Sequence, residues 1–240
     1  IRAILLRLWY THCMEPVNRY LDAAILKPEF SRDEVIAAIE ESLKWNTKTV
    51  CVRPCDVALA RSRCEGSETG VSCVLAFPHG SAPSPVKAAE ALNLVDQGAH
   101  EIDMVANFGR IRSGDWAYVS DDISAVVAVC KPAGVLLKVI FEVCYLSPKE
   151  IARTTEICVS CGADFVKTST GFGSGGATEE AVRIMVDTSA GRIQVKPSGG
   201  IRDRATALKY IEMGATRLGT NYTASEVLVT GGTASGKDGY

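Results

Sequence analysis

DFVKTSTGFGSGGAT, Asp164 to Thr178, is the stretch on which the reading of this chain turns. A short apolar strand pattern suddenly carries a lysine, then hydroxyls, then glycines, then a helix start. Glycine-rich turns after a strand offer backbone amides to an anion. A lysine in an apolar strand is costly to bury. The pairing points to an amine delivered beside an anion cradle.

Working outward, the same plan recurs along the chain. QGAHEIDM from Gln97, CGADFVKT from Cys161 and MGATRLGT from Met213 each end a helical run in Gly, then enter an apolar strand. Gly closes helices in the left-handed conformation. A structural repeat of this kind points to a parallel sheet. Strands are expected at YLDAAIL (Tyr20), TVCV (Thr49), VSCVLAF (Val71), EIDMV (Glu101), VLLKVIF (Val135), FVKT (Phe165), IQVKP (Ile193) and TRLG (Thr216). Between them, Ser31-x-x-Glu34 and Ser147-x-x-Glu150 read as capping boxes, the second with Pro148 at the first helical position. Eight strands alternating with helices in 240 residues suit a (β/α)8 barrel. A doubly wound open sheet carries the same alternation, and periodicity does not decide closure. The expected organisation is an α/β TIM barrel over 1–228. IRAILLRLWY forms a short amphipathic N-terminal helix, and a Gly/Ser-rich flexible tail covers 229–240.

Composition excludes several classes. With 26 basic and 28 acidic residues the net charge is −2, which points to neither nucleic acid nor a membrane surface. No apolar run approaches the roughly 20 residues that span a bilayer. Nine cysteines are scattered and odd in number, and Cys51, Cys73 and Cys144 fall in apolar strand patterns, which fits the reducing cytoplasm. Cys158 and Cys161 form a Cys-x-x-Cys late in a helical pattern with no second ligand pair. His12, His79 and His100 show no ligand spacing, so no metal or other cofactor is expected.

Asp103, Lys138, Lys167 and Lys196 interrupt the fourth to seventh strands. In a barrel, functional residues gather at the C-terminal strand ends. Alternation puts Glu101 with Asp103, Phe165 with Lys167, and Gln194 with Lys196 on shared faces. If those faces point inward, three amines and a carboxylate converge; a single lysine of this kind is as readily a snorkelling outer residue. A buried amine beside a second cation has a lowered pKa and attacks carbonyls to form a Schiff base, with a carboxylate to move protons. Lysine nucleophile, lysine modulator and acidic shuttle suggest aldol chemistry. TSTGFGSGG, PSGG and RLGTN after the last three strands suggest a small phosphorylated carbonyl substrate. Gly171-x-Gly173-x-x-Gly176 matches a dinucleotide fingerprint, but the next strand ends in Lys196 where an acidic residue is needed.

EIDMV, LLKVIFE, ADFVKTSTGF and VKPSGG, in this order, resemble the deoxyribose-phosphate aldolase family from about Leu21 to Asn221. The resemblance implies metal-free, class I cleavage of 2-deoxy-D-ribose 5-phosphate to D-glyceraldehyde 3-phosphate and acetaldehyde, in deoxyribose phosphate catabolism. It implies a homodimer. It implies Lys167 as the Schiff-base lysine, Lys196 as the amine that lowers its pKa and Asp103 as the proton shuttle. It likewise implies that Lys138 lines the barrel, that Asp22 joins the proton network and that Tyr240 is a tail residue that closes on the site. Gly171, Gly199, Gly200, Gly219 and Asn221 would hold the phosphate. Two departures stand out: Ala23 and Ala24 replace the family's usual His-Thr, and Asn221 and Tyr222 stand where serine is usual. The first removes a hydroxyl near the substrate and predicts weaker recognition of the sugar hydroxyls; the second predicts a looser phosphate site. Another phosphate-handling barrel, such as a transaldolase-like enzyme or an isomerase, and a barrel without chemistry are the rivals.

Overall fold

The computed structural model describes residues 16–232. The expected N-terminal helix and residues 233–240 of the expected tail, Tyr240 included, lie outside the described residues. Among the described residues there are eight strands: β1 Leu21–Ile25, β2 Thr49–Val52, β3 Gly70–Leu75, β4 Glu101–Val105, β5 Leu136–Ile140, β6 Phe165–Lys167, β7 Gln194–Lys196 and β8 Leu218–Asn221. All pair in parallel in the order β7-β6-β5-β4-β3-β2-β1-β8.

Closure is visible in the hydrogen bonds that join the two ends of that order. Thr216 donates its N–H to Val195 O at 3.1 Å, and Gly219 donates to Pro197 O at 2.8 Å. Ser198 and Gly219 form a parallel bridge. The open-sheet alternative is thereby excluded, and the fold is a (β/α)8 barrel.

The described helices are α1 Arg32–Lys44, α2 Val57–Cys64, α3 Ser84–Asp96, α4 Phe108–Arg112, α5 Trp116–Cys130, α6 Pro148–Cys161, α7 Glu179–Ser189, α8 Arg204–Glu212 and α9 Ser225–Thr230. Both capping boxes form, at Ser31–Glu34 on α1 and Ser147–Glu150 on α6. Caps of this kind contribute about 1 kcal/mol each. The repeated glycines Gly98, Gly162 and Gly214 all adopt positive φ, at 89°, 82° and 108°. There an L side chain is strained, so glycine recurs where each helix turns back toward the sheet. Cys158 and Cys161 both lie in α6, without a disulfide.

The apolar core lies outside the strands, not within the barrel. Val50, Val52, Leu75, Ile102, Met104, Leu137 and Val139 face the helices and pack on Val35, Ile39, Leu94, Ile123 and their neighbours. Burial of each such side chain is worth about 1.5–3 kcal/mol. The strands are buried on both faces apart from their ends, such as the exposed Gln194 of β7, and the inner face has a different composition. Where barrel interiors are usually filled by branched aliphatics, this one buries Asp22, Glu101, Asp103, Lys138, Lys167, Lys196 and Arg217. A small apolar cluster of Ala24, Leu26, Cys51 and Val74 accompanies them.

One expectation is corrected. Cys144, read as a strand residue, lies exposed in the 3-10 turn Val143–Tyr145. The strand stops at Ile140 because Glu142 enters the left-handed region at φ 59°, which turns the chain away from the sheet. Cys51 and Cys73 are buried in β2 and β3 as expected.

Candidate active site

The inward residues form two levels. Register pairing sets Asp103 beside Lys138, and Lys138 beside Phe165, on one level. Ile140, Lys167 and Lys196 align two residues higher, toward the C-terminal mouth. Side chains two positions apart on a strand share a face, so the amines at the upper level reach down to the carboxylate below.

Asp103 is the hub. Its Oδ1 accepts from Lys138 Nζ at 2.7 Å, and its Oδ2 accepts from Lys167 Nζ at 2.8 Å and Lys196 Nζ at 2.7 Å. Asp22 takes a second bond from Lys196, and its Oδ1 accepts from Thr49 Oγ1 at 2.7 Å and Arg217 Nη1 at 2.8 Å. Glu101 pairs with Lys138 at 2.6 Å and with Arg217 at 2.7 Å. Phe165 lies below, its ring centroid 5.2 Å from Arg217 Cζ and 5.9 Å from Lys138 Nζ. The snorkelling alternative is excluded for all three lysines, each of which is at most 1% exposed.

The network pushes the pKa values of two chemically identical amines, Lys138 and Lys167, in opposite directions. Lys138 loses hydration on burial, yet Asp103, Glu101 and Asp22 surround it, and its pKa is raised well above the ordinary lysine value. Lys167 has one carboxylate partner. Burial, reinforced by the Lys196 ammonium, outweighs Asp103 and lowers its pKa. Burial pushes the Asp103 carboxyl up, but Lys138, Lys167 and Lys196 outweigh it and hold it well below the usual carboxylate range. Asp22 is likewise lowered, burial being overcome by Arg217, Lys196 and Lys138. Four cations face three carboxylates here, so the amine with fewest anionic partners is the one that can stand neutral.

Above this layer lies the glycine-rich rim. Gly171, Gly199 and Gly200 all have positive φ, at 86°, 80° and 83°. The loops after β6 and β7 cross backbone to backbone: Ala177 N–H reaches Ser198 O at 3.0 Å and Gly199 O at 3.1 Å. Gly219 serves a different end. A Cβ there would sit 2.6 Å from Ser198 Cβ and 3.2 Å from Lys196 Cε, so glycine leaves room for the lysine stem. Asn221 and Tyr222 line a cavity of about 180 Å³ together with Ala24, Leu26, Phe30 and Phe172. Alternation puts Ala24 on the inward face with Asp22, whereas Ala23 turns to the other face. The expected site residues Lys167, Lys196, Asp103, Asp22 and Lys138 are thus brought into one network, with Gly171, Gly199, Gly200, Gly219 and Asn221 at its mouth. Sequence reading left out Arg217, whose position in TRLG resembled an ordinary strand edge.

Residues 21–239 match the DeoC/LacD family aldolase. The chain belongs to that family. A deoxyribose-phosphate aldolase from Treponema denticola is 40% identical over 215 residues, spanning 90% of this chain and 99% of the relative. Among solved structures, "QR15, an Aldolase" superposes with a TM-score of 0.83 at 40% identity, covering 88% of this chain and 94% of that one. A deoxyribose phosphate aldolase from Aeropyrum pernix, described as a unique tetrameric structure, has a TM-score of 0.81 at 28% identity, covering 88% and 89%. In this family member no group of His, Cys, Asp or Glu among the described residues has the arrangement of a metal site. No described helix is long and apolar enough to cross a membrane.

Proposed function

We propose that this aldolase reversibly cleaves 2-deoxy-D-ribose 5-phosphate to D-glyceraldehyde 3-phosphate and acetaldehyde through a Schiff base on Lys167. The observation that carries the reading is the buried Lys167 Nζ, bonded at 2.8 Å to the same Asp103 Oδ2 that takes Lys196, with burial acting to lower its pKa. The Aeropyrum pernix and Treponema denticola relatives supply the substrate class.

The chemistry follows from the positions of the protons. Neutral Lys167 attacks C1 of the open-chain sugar, and loss of water from the carbinolamine gives the iminium. Removal of the C3 hydroxyl proton breaks the C2–C3 bond. Its electron pair moves into the iminium, leaving an enamine on Lys167 and releasing D-glyceraldehyde 3-phosphate. Protonation at C2 and addition of water then release acetaldehyde and restore the amine. Asp103, bonded to both upper lysines, is placed to exchange these protons, with Asp22 completing the relay through Lys196. Lys138 stays cationic and fixes Asp103. The amides of Gly171, Gly199 and Gly200, with Gly219 and Asn221 nearby, are the proposed phosphate cradle. Ala24 and Tyr222 at the mouth favour a site that tolerates unphosphorylated aldehydes more than its relatives do.

The reading extends to a catalytic domain that runs through α9 to Thr230, past the expected boundary at 228, with a tail beyond, to a homodimer, to the cytoplasm and to deoxyribose phosphate catabolism. Incubation with 2-deoxy-D-ribose 5-phosphate and enzymatic detection of acetaldehyde tests the activity. Turnover should persist in EDTA and vanish in Lys167→Leu. Folded wild-type protein that releases no acetaldehyde would overturn the assignment.

A further inference from the structure

Glu142 is a buried carboxylate that the proposed chemistry does not use, and its backbone is unusual. It follows β5 in VIFE, is 2% exposed, and adopts φ 59° and ψ 63°. Left-handed backbone is uncommon outside glycine, and such a residue persists only where its surroundings hold it. What holds Glu142 is the loop that follows Lys167. Its Oε1 accepts the Thr170 N–H at 3.2 Å, and its Oε2 accepts the Thr170 hydroxyl. Thr170 Oγ1 in turn accepts the Phe172 N–H at 3.0 Å. A Cβ on Gly173 would lie 2.9 Å from Glu142 Cδ, so the loop lies flush on the carboxyl. Two backbone bonds, Phe141 N–H to Lys167 O and Val143 N–H to Thr168 O, both 3.0 Å, bind the same two segments on either side.

We propose that Glu142 is a positioning residue that fixes the 170–173 loop in its anion-holding shape and thereby sets affinity for the phosphate end of the substrate. The inference rests on the phosphate-cradle reading given above. Gly171 stands between Thr170 and Phe172, the two residues tied to the carboxylate directly and through the hydroxyl. Its orientation is therefore governed by a carboxylate that bonds Thr170, whereas Lys167 Nζ bonds Asp103. An ionised carboxylate takes both Thr170 donors, one on each oxygen, because neither oxygen donates. A glutamine amide that keeps its oxygen on the Thr170 N–H turns its N–H₂ toward the Thr170 hydroxyl, which must then accept and gives up its own donation.

The test compares Glu142→Gln, Thr170→Val and Thr170→Ser with wild type, each with 2-deoxy-D-ribose 5-phosphate and with unphosphorylated 2-deoxyribose. Borohydride trapping of acetaldehyde on Lys167 is measured in parallel. In Glu142→Gln and Thr170→Val, KM for the phosphorylated sugar should rise about tenfold or more, as expected for an unsatisfied buried donor. KM for the free sugar and the trapping rate should stay within about twofold of wild type. Thr170→Ser, which keeps the hydroxyl, should restore the phosphorylated-sugar KM. If Glu142→Gln does not fold, Thr170→Val and Thr170→Ser decide the matter. A wild-type preference for the phosphorylated sugar that survives unchanged in the folded variants would overturn the proposal alone. An equal loss on both sugars would do the same. Wild-type protein with no preference for phosphate would overturn the phosphate-cradle reading and this inference with it.

Discussion

Replacing Lys196 with methionine removes one of the two ammonium groups that share Asp103 Oδ2. The remaining partner is Lys167, and both amines lie within 2.8 Å of that oxygen. Their separation is therefore at most about 5.5 Å, and at an effective dielectric of about 20 their repulsion is about 3 kcal/mol. Loss of that repulsion favours the protonated amine, so the Lys167 pKa moves up toward the ordinary lysine value. The fraction of neutral Lys167 at neutral pH should fall by about a hundredfold. Its attraction to Asp103, no longer shared with Lys196, acts in the same direction. The assay is the rate of acetaldehyde trapping on Lys167 with borohydride across the pH range, in protein shown to be folded by circular dichroism. The variant should trap about a hundredfold more slowly at neutral pH and approach wild type at alkaline pH, where Lys167 is neutral in both proteins. An unchanged pH profile with a neutral-pH rate within about twofold of wild type would refute the electrostatic reasoning.

Three further outcomes follow from the same network. Arg217→Met leaves Asp22 and Glu101 short of a buried partner and should destabilise the fold by about 3–5 kcal/mol, read from the urea midpoint. Gly219→Ala should force Ser198 aside and crowd the Lys196 stem, lowering kcat/KM by about a hundredfold, since small misplacements at a reacting centre are costly; an unaffected kcat/KM would show that both have room. The lowered carboxyls of Asp22 and Asp103 give stability that is complete above the unfolded carboxylate pKa of about 4 and is lost as pH falls below it. Thermal melting followed from pH 6 downward should stay level to about 5 and then decline, less steeply in Asp22→Asn.

Much of this was legible in the chain. Every expected strand is present, because apolar runs bounded by Gly-closed helices carry strong local signals. Lys138, Lys167 and Lys196 stood out because a lysine inside VLLKVIF or DFVKTST breaks an apolar pattern. Arg217 did not, because TRLG begins with polar residues that fit a strand edge equally well. Barrel closure was not legible either, since it depends on bonds such as Gly219 to Pro197 that join residues of adjacent elements with no local signature. The left-handed Glu142 escaped for a related reason: VIFE reads as continuing strand, and only the loop from Thr170 to Gly173 explains the turn. Local patterns named the elements, and the balance of buried charges emerged only when seven side chains met.

The most direct test of the account is to locate the reactive amine. The protein is incubated with acetaldehyde, reduced with borohydride and digested, and the modified peptide is found by mass spectrometry. Denatured protein and Lys167→Leu serve as controls for surface amines. An ethyl group on Lys167, absent from both controls, is the predicted result. Labelling of folded protein that spares Lys167, or that falls equally on Lys138 and Lys196, would contradict the claim that this barrel singles out one lysine as its nucleophile.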